Sequence, residues 1–124
     1  MSKGPVLVVD DDADMLAMVD MVLGAEGYRV VAAANGAEAL EQIAREMPSL
    51  ILLDMRMPVM DGWRFAEAFR ARYDHRVPII VMTAAENAKA RAEEIDADGH
   101  LAKPFDLEQL FACVRRYAGP PAER

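Results

Sequence analysis

The feature of this sequence that most constrains its fold is an alternation of short apolar runs with longer segments of helical spacing. Three of the runs are continuous and rich in branched residues: Val6–Val9, Leu50–Leu53 and Ile79–Met82. Their length and their Val and Ile content favour strands that are covered on both faces. Tyr28–Ala34 and Gly99–Ala102 are weaker candidates for two more strands. The sequence therefore predicts five strands.

The segments between the runs carry apolar residues at the three- and four-residue spacing of amphipathic helices. The five stripes are Leu16-Val19-Leu23, Leu40-Ile43-Ala44-Met47, Phe65-Ala66-Phe69, Ala88-Ala92-Ile95 and Leu107-Leu110-Phe111-Val114. The fourth stripe is thin and has little apolar area to bury. Two pairs have the spacing of a capping box, Asn35 with Glu38 and Asp106 with Gln109, and they predict where two helices begin.

Strands that alternate with helices predict an α/β fold, a doubly wound (βα)5 arrangement with a five-stranded parallel sheet and helices on both faces. The 124 residues suffice for one domain, and 53% of them are hydrophobic, which argues against disorder. We expect the domain to cover residues 1–118. Residues 119–124 are expected to form a C-terminal tail or the stub of a linker.

Charge and cysteine content exclude several classes of protein. The formal net charge of −7 argues against direct nucleic acid binding, which needs clustered Lys and Arg. Cys113 is the only cysteine, so no disulfide forms within the chain, as suits a reducing compartment. The sequence has neither a signal peptide nor an apolar run near the ~18 residues of a membrane helix. We therefore expect a cytoplasmic protein that contacts no membrane.

Polar residues with complementary chemistry follow the predicted strands. The first strand ends at Asp10 and Asp11, the third at Asp54 and the fourth at Thr83, and Lys103 follows the fifth. Parallel strands bring these ends to one edge, where open α/β sheets bind ligands. Clustered carboxylates repel one another unless a hard cation such as Mg²⁺ neutralises them. Asp54 is then a candidate phosphoryl acceptor, with Thr83 and Lys103 to stabilise the phosphoryl oxygens.

These same stretches resemble the CheY-like receiver domains of two-component response regulators. The stretches that carry the resemblance are Val6–Asp11, Asp54–Pro58, Met60–Gly62, Thr83-Ala84 and Lys103–Phe105. They occur in the family's order and spacing, and the resemblance covers about residues 5–118. It implies a flavodoxin-like sheet with strand order 2-1-3-4-5.

The resemblance also implies a role for each site residue. The Mg²⁺ ligands that it implies are Asp10, Asp11, Asp54 and the backbone carbonyl of Arg56, with Asp11 nearer the metal than Asp10. Asp54 would accept the phosphoryl group, which Thr83 and Lys103 would bind. The bond between Lys103 and Pro104 is often cis in this family. The protein would thus be a phosphorylatable switch and not an enzyme that turns over an external substrate.

The partners follow from the same resemblance. A histidine kinase or phosphotransfer protein would donate the phosphoryl group. A downstream protein would bind the face formed by the fourth helix, the fifth strand and the fifth helix. The chain would be a monomer or a phosphorylation-dependent dimer. It would act alone or be a receiver module truncated from a larger response regulator or hybrid kinase.

Two positions depart from the family pattern near this output face. His100 stands where the fifth strand usually presents Tyr or Phe, and Asp96 stands where a helix-ending Gly is common. Asp tolerates the left-handed conformation better than most residues. We hypothesise that His100 acts with Thr83 as a switch residue whose inward state prefers the neutral imidazole, so that activation weakens as the pH falls toward about 6. The alternative is that His100 stays solvated on a partner-binding surface in both states.

Two other functions fit parts of the pattern. An Asp-nucleophile phosphatase usually carries a second acid two residues after the nucleophile, but here that residue is Arg56. A flavodoxin-like flavin carrier shares the fold, but an Asp-rich loop after the first strand would repel the flavin phosphate. Asp12 is predicted to cap the first helix only, Trp63 to serve in packing, and Cys113 to be a small, partly buried residue.

Overall fold

The computed structural model describes residues 4–74 and 77–121, and in it five strands alternate with five helices. The strands are β1 (Val6–Val9), β2 (Val30–Ala33), β3 (Leu50–Asp54), β4 (Ile79–Ala84) and β5 (Gly99–Lys103). The helices are α1 (Ala13–Ala25), α2 (Gly36–Arg45), α3 (Gly62–Tyr73), α4 (Ala85–Glu94) and α5 (Leu107–Ala118). The predicted alternation is confirmed, including the two weaker strands, although β2 begins at Val30 and not at Tyr28.

The sheet is parallel throughout and has the strand order β2-β1-β3-β4-β5. This confirms the predicted doubly wound fold and its 2-1-3-4-5 order. Val9, at the end of β1, lies opposite Ala33 of β2 and Leu53 of β3. The residues that follow Val9 and Leu53 are Asp10 and Asp54, so the pairing register brings these two acids to adjacent positions at one edge of the sheet.

Each face of the sheet has its own apolar core. One core joins the sheet to α2, α3 and α4, and the other joins it to α1 and α5. Along β1, Leu7 and Val9 belong to the first core and Val6 and Val8 to the second, which is why the strand is apolar at every position. Phe65 and Phe69 are the largest fully buried side chains of the first core, and burying such a ring contributes about 1.5–3 kcal/mol.

The predicted helix starts are present, with one difference in hydrogen bonding. Asp106 and Gln109 form the reciprocal capping box expected at the start of α5. At the start of α2, Asn35 accepts a hydrogen bond from the Glu38 N–H, as expected. The Glu38 carboxylate, however, accepts from the N–H of Ala34 instead of Asn35. The cap at α2 therefore extends one residue further back than the sequence pattern predicts.

Helix α4 packs on β4 and β5 through small side chains. The residues that it buries, Ala88 and Ala92, are both small, and its N-cap residue Ala84 offers no side chain to cap the first turn. The turn after α4 contains Asp96, whose φ of 52° is the left-handed conformation that the sequence pattern anticipates. Its small buried side chains and missing side-chain cap mean that burial of apolar area and capping each contribute little to the stability of α4.

Residues after α5 pack on the domain. The carbonyl of Gly119 accepts a hydrogen bond of 2.7 Å from the Tyr28 hydroxyl, and Pro121 lies beside Gly27. The domain boundary at residue 118 remains a prediction, and residues 122–124 of the expected tail lie outside the described residues. In the part of the chain that the structure describes, no helix combines the length and apolarity that crossing a membrane requires.

Candidate functional site

The ends of β1 and β3 bring three carboxylates together. Asp10 and Asp11 follow β1, and Asp54 is the last residue of β3. One oxygen from each carboxylate lies within 4.8 Å of the other two. The structure thus brings together three of the residues that the sequence places at this edge of the sheet.

Lys103 partly neutralises this acidic cluster. Its Nζ lies 2.7 Å from Oδ2 of Asp10 and 3.9 Å from Oδ1 of Asp54. Asp10 is 1% exposed, and its other oxygen accepts a hydrogen bond from the Asp12 N–H at 2.9 Å. Burial of a carboxylate requires such partners, since a lone buried charge costs several kcal/mol. Asp12 itself caps α1 through hydrogen bonds from the first turn, as predicted.

The pKa of the Asp54 carboxyl group is raised even though the positive charge of Lys103 lies nearby. The pKa of Asp54 is raised to about 6: burial is the largest cause and the Asp10 and Asp11 carboxylates act in the same direction, while Lys103 and the Met55 N–H oppose them. The Met55 N–H donates to the Asp54 carboxylate at 2.9 Å. Because three carboxylates face one ammonium group, a further cation would be stabilised here. The donor set of carboxylate oxygens fits Mg²⁺, which prefers hard oxygen ligands.

Thr83 and Lys103 lie at the same edge on neighbouring strands. In the β4–β5 register Thr83 lies opposite Ala102, the residue before Lys103. The peptide bond between Lys103 and Pro104 is cis, as the resemblance implies. Thr83 is half-buried, and among the described residues its hydroxyl makes no hydrogen bond to the three carboxylates. The structure therefore joins Lys103 directly to the cluster and leaves Thr83 beside it.

The loop between β3 and α3 carries Arg56 and is held from two sides. Gly62 donates its N–H to the Met55 carbonyl at 2.8 Å, and a Cβ on Gly62 would lie 2.6 Å from the Met55 sulfur. Gly36, at the start of α2, donates its N–H to the Met60 carbonyl at 2.9 Å. A Cβ on Gly36 would lie 2.8 Å from Cγ of Met60. Both glycines therefore permit a close backbone approach, and the role of Gly36 was not visible in the sequence pattern.

His100 lies apart from the acidic cluster. Its side chain is exposed on β5, where it is opposite Val81 of β4. The structure therefore has the imidazole on the outer surface of the sheet edge and not turned inward. Whether His100 moves inward on activation stays a prediction.

The sequence interpretation of Trp63 as a packing residue is incomplete. Trp63 does pack on the core, but its indole N–H also donates to the Glu94 carboxylate at 2.8 Å. Its ring lies under two guanidinium groups, those of Arg56 at 5.9 Å and Arg91 at 5.5 Å from the ring centroid. No spacing pattern could have revealed these contacts, because they join a loop and two helices that are distant in sequence.

Comparison with known proteins identifies the family. The sequence model of the family described as response regulator receiver domain matches residues 6–115 of this chain. The transcriptional regulatory protein PrrA of Mycobacterium tuberculosis is 43% identical over 112 residues, which are 89% of this chain and 48% of that protein. The chain thus spans about half the length of PrrA. The sporulation initiation phosphotransferase F of Bacillus subtilis is 34% identical over 119 residues, which are 94% of this chain and 95% of that protein.

Solved structures agree with the sequence relatives. The chemotaxis response regulator CheY4 of Vibrio cholerae superposes with a TM-score of 0.83 at 34% identity and covers 94% of this chain and 99% of its own. The signal receiver domain of a histidine kinase from Syntrophus aciditrophicus has a TM-score of 0.82 at 29% identity and covers 93% of this chain and 89% of its own. On fold, sequence and family model together, this chain belongs to the CheY-like receiver domains of two-component response regulators, which act as signalling switches.

Proposed function

We propose that this receiver domain accepts a phosphoryl group on Asp54, with Mg²⁺ bound, from a histidine kinase or phosphotransfer protein. The observation that carries the proposal is the position of the Asp54 carboxylate, which shares one cluster with Asp10 and Asp11 and lies 3.9 Å from the ammonium group of Lys103. A nucleophile, a cation site and a fixed ammonium are the parts that phosphoryl transfer to a carboxylate requires.

Transfer would exchange one bond to phosphorus for another. An oxygen of the ionised Asp54 carboxylate attacks phosphorus, the bond between phosphorus and the donor nitrogen breaks, and the electron pair leaves with that nitrogen. The product on this chain is an acyl phosphate. Lys103, and Thr83 through its hydroxyl, would bind the phosphoryl oxygens and stabilise the charge that develops on them.

The acidic residues would hold the metal. Asp10, Asp11, Asp54 and the backbone carbonyl of Arg56 are the ligands that we propose. Bound Mg²⁺ neutralises negative charge on the carboxylates and on the incoming phosphoryl group. Without it, the three carboxylates would repel a phosphoryl group, since Lys103 is already engaged with Asp10 at 2.7 Å.

Phosphorylation would then shift an equilibrium between two conformations of the output face. We propose that Thr83 and His100 take part in this shift and that a downstream protein binds the face made of α4, β5 and α5. The receiver would comprise residues 1–118, followed by a tail or linker stub. A cytoplasmic location, and a monomer or phosphorylation-dependent dimer, complete the proposal.

The chain could work alone or as one module of a longer protein. The name of the Bacillus subtilis phosphotransferase, which this chain matches over 95% of its length, supports a separate phosphotransfer component. The regulator PrrA, which it matches over 48% of its length, supports a receiver joined to another domain. An Asp-nucleophile phosphatase is not favoured, because Arg56 stands where the second acid belongs and its guanidinium lies over Trp63.

The proposal is tested by incubating the protein with acetyl phosphate and Mg²⁺ and measuring its intact mass. We expect one added phosphoryl group, and none in Asp54→Asn. Asp12→Asn is the matched control, because it removes a nearby exposed carboxylate and Asn is an equally good helix cap. Labelling that persists in Asp54→Asn, or that disappears equally in Asp12→Asn, would contradict the assignment.

A further inference from the structure

Helices α3 and α4 are separated by an open groove. Its volume is about 430 Å³, and Trp63 and Arg70 of α3 line it together with Glu94 of α4. On the α4 side only the small residues Ala88 and Ala92 are buried within the helix. Helix α4 packs on β4 and β5, and side chains that reach across the groove connect it to α3.

Two side chains of α3 make this connection. The indole N–H of Trp63 donates to Oε1 of Glu94 at 2.8 Å. The guanidinium group of Arg70 donates to the backbone carbonyls of Ile95 and Asp96, the latter at 2.9 Å. Arg70 thus satisfies carbonyls that the end of α4 leaves without helical partners. Both connections are polar and exposed at least in part.

The Trp63 ring also connects to the loop that follows Asp54. The guanidinium groups of Arg56, in that loop, and of Arg91, in α4, lie 5.9 Å and 5.5 Å from the ring centroid. Arg91 also pairs with Glu94 at 2.9 Å. Guanidinium groups at these distances are attracted to the face of an indole ring. One ring therefore contacts both the loop and the helix.

The hydrogen-bond donors and positive charges near Glu94 stabilise its carboxylate. The hydrogen bond from Trp63 holds the pKa of Glu94 below its usual range, and the positive charges of Arg91 and Arg56 act in the same direction. Glu94 is therefore ionised at neutral pH and remains a strong acceptor for the indole N–H. Removing its charge weakens the contacts to Trp63 and to Arg91 together.

We propose that Trp63 is a positioning residue that ties the metal-binding loop at Arg56 to helix α4 through Glu94. Holding the Arg56 side chain restricts the backbone whose carbonyl is to bind Mg²⁺, so less freedom is lost when the ion binds. Because binding linkage is reciprocal, the Mg²⁺ affinity and the position of α4 then depend on each other. This inference rests on the proposed function, since the carbonyl of Arg56 matters only if Mg²⁺ binds beside Asp54.

A double-mutant cycle in Mg²⁺ affinity tests the connection. The full chain is titrated with Mg²⁺ alone, and the dissociation constant is read from the amide NMR signal of Asp11. The variants are Arg56→Ala, Glu94→Gln and the two combined. Glu93→Gln is the matched control, because it removes the same charge from an adjacent, exposed position of α4 that takes no part in the connection between Trp63 and Glu94. Urea unfolding of each variant shows whether the stability of the fold has changed.

Arg56→Ala and Glu94→Gln should each raise the Mg²⁺ dissociation constant by about 2- to 5-fold. The double variant should bind Mg²⁺ no more weakly than the single variant with the lower affinity. Trp63→Phe, which keeps a ring but loses the N–H, should behave like Glu94→Gln. Glu93→Gln should leave the affinity unchanged, and its effect should add to that of Arg56→Ala.

The experiment distinguishes failure of the connection through Trp63 from failure of the proposed function. If the wild-type protein binds Mg²⁺ and accepts a phosphoryl group, but Glu94→Gln matches Glu93→Gln or adds to Arg56→Ala, the connection through Trp63 is wrong and the proposed function stands. If the wild-type protein shows no Mg²⁺ binding at Asp11, the proposed function fails and this inference fails with it.

Discussion

The ammonium group of Lys103 lies 2.7 Å from the carboxylate of Asp10, which is closer than its 3.9 Å approach to Asp54. Lys103, the cation that pairs with this site among the described residues, thus compensates the buried acid, and the proposed phosphoryl acceptor is left with a raised pKa. Burial, reinforced by Asp10 and Asp11, brings the pKa of Asp54 to about 6. The carboxylates of the site are therefore only partly neutralised by Lys103, and this affects the stability of the fold and its dependence on pH and Mg²⁺.

Replacing Asp54 by Asn should stabilise the Mg²⁺-free protein at neutral pH. The folded-state pKa of Asp54 is raised from 3.8 to about 6, so folding takes up a proton between these values and the ionised form destabilises the fold above them. A shift of two units corresponds to about 3 kcal/mol, and solvent at the open edge reduces this to about 1–2 kcal/mol.

Urea unfolding at several pH values checks this prediction. The gain from Asp54→Asn should be largest above pH about 6 and should shrink as the pH falls toward about 4, where the carboxylate is protonated in both states. Mg²⁺ should remove the gain, since it binds only the carboxylate form. Equal stability of wild type and variant at neutral pH would mean that the acidic cluster is already compensated. Asp12→Asn, in an exposed position, should show no such gain.

Mg²⁺ should stabilise the folded protein, because the three carboxylates converge only in the native state. At ten times its dissociation constant the ion should add about 1.4 kcal/mol to the free energy of unfolding. Asp11→Asn should reduce this gain, because it removes the charge of a proposed Mg²⁺ ligand. Asp11 is exposed and contributes little to the core. Thermal unfolding with and without millimolar Mg²⁺ measures the effect. A melting temperature that does not respond to Mg²⁺ in the wild-type protein would count against the metal site.

Lys103→Met should destabilise the fold, because it leaves the buried Asp10 carboxylate without its cation. Breaking a buried pair from one side costs about 3–5 kcal/mol, and the partial exposure of Lys103 lowers the expected cost to about 1–3 kcal/mol. Adding Asp10→Asn should recover part of the loss, since the double variant has no unpaired charge. Lys89→Met, at an exposed position of α4, is the control. If the double variant is no more stable than Lys103→Met, the ion pair is not the cause.

His100 should make activation dependent on pH. We expect the conformational response of β5 to beryllofluoride, which imitates the phosphoryl group, to weaken as the pH falls from about 8 to about 6. Asp54 titrates in the same range, so the pH profile alone does not identify His100. The comparison with His100→Phe does, because both proteins share Asp54. An identical pH profile in the two proteins would leave His100 as an ordinary surface residue.

The strands and the acidic cluster could be predicted because each follows from local pattern plus topology. Runs that are apolar at every position indicate a parallel sheet covered on both faces, and such a sheet brings the strand ends to one edge. The strand order 2-1-3-4-5, which the resemblance implies, makes β1 and β3 neighbours and so places Asp10 beside Asp54. The cap at Asp106 also follows from local sequence, and the left-handed conformation at Asp96 follows from the helix-ending Gly that the family commonly has at this position.

The remaining features depend on side-chain geometry that no local pattern encodes. The preference of Lys103 for Asp10 over Asp54 depends on distances of a few ångströms between strand ends. The contact of Trp63 with Glu94 joins residues 31 positions apart across a groove. The close approach of Gly36 to Met60 depends on how α2 meets the loop after β3. Such contacts are fixed by the packed structure and leave no periodic signal.

Mapping the phosphoryl group to a single residue tests the central claim most directly. The protein is incubated with acetyl phosphate and Mg²⁺, the acyl phosphate is trapped by borohydride reduction, and the digested chain is analysed by mass spectrometry. The account predicts one reduced aspartate, at residue 54, and none when Mg²⁺ is chelated. Reduction at another aspartate with Asp54 intact, or labelling that is indifferent to Mg²⁺, would contradict it.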